Sequence, residues 1–151
     1  MGAFYIDQAW HYGDNYNDST KADSLFRLSV PYLIKSSEYF DLAGYSKGAA
    51  LAFANMAIIQ IELGDLETSK ASMLQSEKYF DSLGLKIYLV SAFNHLAEIY
   101  IQQKKYDSAL YKVDKSLELA KELESKFDIR NAYGKYSYIY KSLNDFKRYE
   151  E

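Results

Sequence analysis

The chain has 151 residues, 48% of them apolar, a formal net charge of −3 and a pI near 5.5. It is long enough to bury a core without staples, and its acidic balance carries no electrostatic footprint for nucleic acid. The absence of cysteine excludes a disulfide framework and thiolate metal sites, and leaves the compartment open. No apolar run approaches the roughly 20 residues of a membrane span. Met1-Gly2 is not followed by the charged and apolar regions of a secretory signal. One domain without membrane contact is expected.

In chain order, residues 3–13 read as a short helix closed by Gly13. Asp14 to Lys21 is a polar stretch, expected as a loop. Its Asp14 and Asp18 lack the glycine and closing glutamate of a calcium loop, and the Asn17-Asp18-Ser19 sequon is expected to be a turn. Residues 22–42 form a helix with Leu25, Phe26, Leu28, Leu33, Ile34, Tyr39 and Phe40 as its apolar face. Pro31 lies inside it. Proline lacks the N–H and crowds the carbonyl four residues earlier, so a kink or break is expected near residues 27–31. Two further helices are expected at 47–63 and 66–82, ending at Gly64 and Gly84, where a left-handed residue is cheap.

Residues 92–110 hold the clearest pattern. Phe93, Leu96, Ala97 and Tyr100 recur at helical spacing, Lys104-Lys105 interrupts, and Tyr106, Ala109 and Leu110 restart the period. This is a helix, a tight turn and a second helix. Shifted back by forty, Phe93 lands on Phe53, Leu96 on Met56, Ala97 on Ala57, Ile99 on Ile59, Tyr106 on Leu66 and Ser116 on Ser76, while Lys104 lands on Gly64, followed by Asp65. Shifted forward by forty, Phe93 lands on Tyr133, Leu96 on Tyr136, Tyr100 on Tyr140, the Lys pair on Asn144-Asp145 and Tyr106 on Phe146. The second half of the unit also repeats upstream, with Ser36, Tyr39, Phe40, Asp41 and Gly44 matching Ser76, Tyr79, Phe80, Asp81 and Gly84.

This order of aromatic, large apolar, small and aromatic residues around a turn, with a small residue three beyond the next aromatic, resembles the tetratricopeptide repeat, or TPR. The usual period is about 34 residues; a period of forty is similar to that of some bacterial signalling members. The resemblance implies an all-α fold: an α-solenoid of antiparallel helix pairs winding in a right-handed superhelix. About three and a half repeats are implied, at 3–44, 45–84, 85–125 and 126–151, the last incomplete. It implies close helix approach at Ala57 and Ala97, and a left-handed Lys104 at the position of Gly64.

Little else in the chain carries chemistry. His11 and His95 have no metal-ligand partner at i+4, and no Gly-rich phosphate loop occurs. Ser91 lies one turn from His95, without an acidic orienter or oxyanion donors. No catalytic residue, metal or cofactor is expected. Most tyrosines, including Tyr100, Tyr106, Tyr136 and Tyr140, occupy repeat core positions, and the Lys/Glu-rich 112–126 is expected as a solvated helix face.

The resemblance places a ligand groove on the first helix of each repeat. Carried over by position, its residues are Ala54, Asn55 and Ile58, then Asn94, His95 and Glu98, then Gly134, Lys135 and Tyr138. Peptide contacts are expected from Asn55, Asn94, His95, Glu98, Lys135 and Tyr138. The amides can hold an extended backbone, Lys135 can meet a carboxylate, and Tyr138 can stack. The family's carboxylate clamp is not expected, because Ile58, His95 and Glu98 stand at its positions. The expected function is a protein- or peptide-binding scaffold, the sensory or regulatory portion of a larger bacterial signalling protein with a histidine kinase or helix-turn-helix output. The alternatives are a cytoplasmic peptide-responsive regulator and a structural assembly module. The last repeat has only begun its second helix, with Phe146 and Tyr149, so an apolar C-terminal edge and self-association through it are expected.

Overall fold

The computed structural model describes residues 2–16 and 18–149, with residues 15–16 and 144–149 as backbone only. Among the described residues the fold is all-helical: α1 (Gly2–Tyr16), α2 (Ser19–Leu42), α3 (Ser46–Glu62), α4 (Leu66–Ser82), α5 (Lys86–Gln102), α6 (Tyr106–Glu122) and α7 (Lys126–Tyr149). Neighbours in sequence pack together, α1 on α2, α2 on α3, α5 on α6 and α6 on α7. This pairing is consistent with a helical-repeat solenoid.

The helix ends explain the period. From α3 to α6 each helix has 17 residues, and three residues link it to the next. The middle residue of each link is left-handed: Gly44 (φ 69°), Gly64 (76°), Gly84 (63°), Lys104 (57°) and Glu124 (53°). Each link closes the helix before it in the same way. At the third, the N–H of Leu85 donates to the Phe80 carbonyl at 2.9 Å and that of Gly84 to the Asp81 carbonyl at 3.0 Å. At the fourth, Lys105 donates to Tyr100 and Lys104 to Ile101, both at 2.9 Å. This Schellman pattern satisfies carbonyls that a helix end leaves open. Lys104 thus takes the conformation expected of it, and Glu124 does the same.

Burial repeats with the same step. Ala49, Ala50, Ala52, Met56, Ala57 and Ile59 of α3 are buried, as are Leu89, Val90, Ala92, Leu96, Ala97 and Ile99 of α5. On the second helices, Ser69, Met73, Ser76 and Phe80 match Ala109, Val113, Ser116 and Ala120.

The chain divides into two compact units, Met1–Tyr79 and Phe80–Glu151. In the first, Ala9, Ala22, Phe26, Leu33, Met56 and Ile59 form the core, with Ile6, Leu25, Val30, Phe53 and Leu63 packed against it. Trp10 meets Phe26 edge-on at 5.1 Å. Two buried serines tie α4 to α3: Ser69 Oγ donates to the Ala57 carbonyl at 2.8 Å and Ser76 Oγ to that of Ala50 at 2.9 Å. Tyr79 Oη donates to Asp41 at 2.6 Å, joining α4 to α2. At the start of α3 only glycine fits: a Cβ on Gly48 would stand 2.5 Å from the Tyr45 ring and 2.7 Å from that of Phe40.

In the second unit, Ala97, Ile101, Ala109, Val113, Ala132 and Ile139 form the core, flanked by Tyr100, Tyr106, Leu110, Leu117, Tyr136 and Leu143. Ala97 is fully buried beside Ala109 and Val113 of α6, and Ala57 is fully buried where Ser69 bonds to its carbonyl. These are the close approaches expected at both alanines.

Several expectations are corrected. Helix α1 runs through Gly13 to Tyr16, because Gly13 stays right-handed and the turn comes later, where the Asp18 N–H donates to the Tyr12 carbonyl at 3.1 Å. The expected loop at 14–21 shrinks accordingly. Asp18 caps α2, its Oδ1 accepting from the Lys21 N–H at 3.0 Å; Asn17 of the sequon lies outside the described residues. Helix α2 is continuous from Ser19 to Leu42 with Pro31 inside it, so of the expected kink or break it is the break that is absent. Its packing against α1 and α3 outweighs the one hydrogen bond that proline removes. Lys112 is buried rather than solvated, its ammonium 5.1 Å from the Phe93 ring centre. Tyr140 is exposed rather than a core residue.

The turn expected at Asn144-Asp145 is absent, because α7 continues as one helix to Tyr149. Extending a helix adds one hydrogen bond per residue. The side chains of Phe146 and Tyr149 lie outside the described residues.

Candidate functional site

Helices α5 and α7, the first helices of successive repeats, enclose a groove of about 830 Å³ in the second unit. Helical spacing brings its wall together. Ser91, Asn94, His95 and Glu98 recur along one face of α5, while Asn131, Gly134, Lys135 and Tyr138 do so along one face of α7. The opposite face of α5 carries Leu96 and Ala97 into the core, which turns the polar residues outward.

The two walls are joined by one ion pair, Lys135 Nζ to Glu98 Oε2 at 3.0 Å. Asn94 is held from behind: the buried Ser116 hydroxyl on α6 donates to its Oδ1 at 3.0 Å. With the carbonyl so engaged, the amide N–H groups are its means of contacting a ligand. Burial and the Lys135 ammonium lower the pKa of His95 from its ordinary value, against the opposing pull of Glu98. Its imidazole is therefore neutral at pH 7, with one donor and one acceptor nitrogen. At the start of α7 the groove is aromatic and cationic, with the Arg130 guanidinium 5.5 Å from the Phe127 ring centre. Asp128 is taken up locally by Ser125, whose hydroxyl donates to it at 2.6 Å at the start of α7. The groove offers amide donors, an imidazole, a guanidinium over a ring and the exposed Tyr138. That equipment suits recognition of an extended, polar chain.

Five of the six residues expected to contact peptide, Asn94, His95, Glu98, Lys135 and Tyr138, lie around this groove. Asn55 does not. It lines a smaller cavity of about 360 Å³ in the first unit, between α1 and α3, with Ala3, Ile6, Asp7, Trp10, Ile58 and Ile59. Sequence reasoning missed Phe127, Arg130 and Asn131. The signal was present, since Asn131 and Asp128 precede Lys135 by four and seven residues and so share its face. The positions carried over from the repeat pattern begin only at Gly134.

Among solved structures, the crystal structure of BtubC (BKLC) from P. vanneervenii matches 99% of this chain, with a TM-score of 0.69 and 19% sequence identity. The chain spans 59% of that protein's length. At this identity the likeness bears on the fold alone. No protein-family model and no curated protein matches the sequence.

Proposed function

We propose that this chain is a TPR-type peptide-binding module, the sensory or regulatory portion of a larger bacterial signalling protein. The groove between α5 and α7 takes an extended segment of a protein or peptide partner. The observation that supports this most is the convergence of Asn94, His95, Lys135 and Tyr138 on one groove, with Asn94 oriented by the buried Ser116. A buried hydroxyl that orients a surface amide favours recognition over packing. No catalytic role is assigned to these residues: the carboxylate of Glu98 is held by Lys135 at 3.0 Å and that of Asp128 by Ser125 at 2.6 Å.

The test is selection from a displayed random-peptide library on the immobilised protein, followed by calorimetric titration of the enriched peptides. Asn94→Ala is expected to weaken binding about tenfold, equivalent to the ~1.4 kcal/mol of a hydrogen bond to a well-placed amide, and to lower the melting temperature as well, because the buried Ser116 hydroxyl loses its acceptor. Enrichment that is the same on the Asn94→Ala, Lys135→Ala double variant would remove the groove from the proposal.

A further inference from the structure

Helices α1 and α3 enclose a cavity of about 360 Å³ in the first unit. That volume lies at the small end of ligand pockets, room for one side chain rather than an extended segment. Its walls are largely apolar, with Ile6 on α1 and Ile58 on α3, and each helix adds one polar group, Asp7 and Asn55. Asp7 and Trp10 stand three apart on α1 and so share its face. Trp10 is braced by its T-shaped contact with Phe26 and keeps 36% of its surface exposed. Asp7 and Asn55 are exposed, and among the described residues neither side chain has a hydrogen-bond or ion-pair partner.

The second unit shows how this chain settles a carboxylate between two such helices. There the acid on the earlier helix, Glu98 of α5, is met by Lys135 of α7 at 3.0 Å. Eighty residues before Lys135, at the same repeat position, stands Asn55. An amide oxygen can accept from a cation, but an amide cannot neutralise a carboxylate. The α1–α3 cavity thus holds a carboxylate, an amide acceptor and an indole ring, with no cation among its described lining residues.

These three groups are what an ammonium or guanidinium requires: an opposite charge, a hydrogen-bond acceptor and a π face, for which tryptophan is the best aromatic. Ile6 and Ile58 complete the fit, since a basic side chain carries its charge on an apolar stem. We propose that the α1–α3 cavity binds a lysine or arginine side chain of a partner protein. This site is additional to the α5–α7 groove, and its occupation does not require that groove to bind peptide.

Trp10 is the only tryptophan of the chain, so its fluorescence reports on the cavity without a label. The probes are acetyl-Gly-Lys-Gly-amide and its arginine counterpart, carried into the millimolar range that suits a single side chain. At least one of them is expected to give a saturable change in Trp10 emission. The peptide with norleucine in place of lysine has the stem without the charge and is expected to give none. Asp7→Asn is expected to weaken the response about tenfold or more. Asn55→Lys is expected to abolish it, because it sets the protein's own ammonium by Asp7 as Lys135 is set by Glu98. Both residues are exposed, so unchanged melting temperatures are expected and verify that each variant is folded. Three results would overturn the proposal: no saturable change with either basic peptide, an equal change with the norleucine peptide, or a response that survives either substitution undiminished.

Discussion

Lys104 and Glu124 hold left-handed backbone angles without being glycine. For an L-residue that conformation costs roughly 1 kcal/mol. Lys104→Gly is therefore expected to stabilise the protein by up to about 1 kcal/mol, and Gly64→Lys to destabilise it by a similar amount, both read from denaturant melts. The strain at Lys104 was legible because the shift of forty sets it on Gly64. The same shift sets Glu124 on Gly84, but the surrounding run of lysine and glutamate reads as a solvated face and hides the turn. At the close approach, Ala97→Leu would add volume where α5 meets α6 and is expected to cost about 1–3 kcal/mol. Its neighbour Glu98 holds a partly exposed ion pair with Lys135, and Glu98→Ala is expected to cost less than about 1 kcal/mol. Similar losses from both in parallel melts would show that the register of α5 is misassigned.

Helices α5 and α7 confer a pH response through His95. Burial and Lys135 lower its folded-state pKa, so the unfolded chain binds the proton more readily. Above the ordinary histidine value both states are neutral and His95 contributes nothing. As pH falls below that value the unfolded state takes up the proton first, and stability declines. The decline ends once pH passes below the folded pKa and both states are protonated. His95→Gln is expected to flatten this slope in melts taken between neutral and mildly acidic pH. Lys135→Met is expected to move the His95 titration upward in an NMR experiment, since it removes the nearby like charge. At this scale α3 and α4 were readable to within a residue or so, and the helix, turn and helix of α5 and α6 were readable from their periods. The end of α1 and the start of α2 were not: Gly13 looks like a terminator yet stays right-handed, and Asp18 caps a helix from within a stretch that reads as loop. The missing turn at 144–145 is of another kind: Asn144-Asp145 matches Lys104-Lys105 in register, yet α7 is helical through both.

For the molecule as a whole, the all-helical repeat was legible because apolar spacing and the shift of forty point to one answer. The groove was legible in part. Asn94, His95, Glu98, Lys135 and Tyr138 follow from repeat position, whereas Arg130 and Phe127 lie four and seven residues before Gly134 on the same face of α7, ahead of the positions the repeat pattern carries over. Asn55 has a different neighbourhood because α1 places Trp10 and Ile6 beside it. The evenly spaced left-handed links carry a genetic consequence. Since α3 and α5 bury matching residues, and α4 and α6 do too, the gene can lose or duplicate forty codons and still encode matched helix pairs. Removal of residues 65–104 joins Gly64 to Lys105, sets Ala57 opposite Ala109, and is expected to give a shorter protein that is still helical and melts cooperatively. The positions of Gly44, Gly64, Gly84, Lys104 and Glu124 are thus the seams at which such a gene can grow or shrink without a frustrated intermediate.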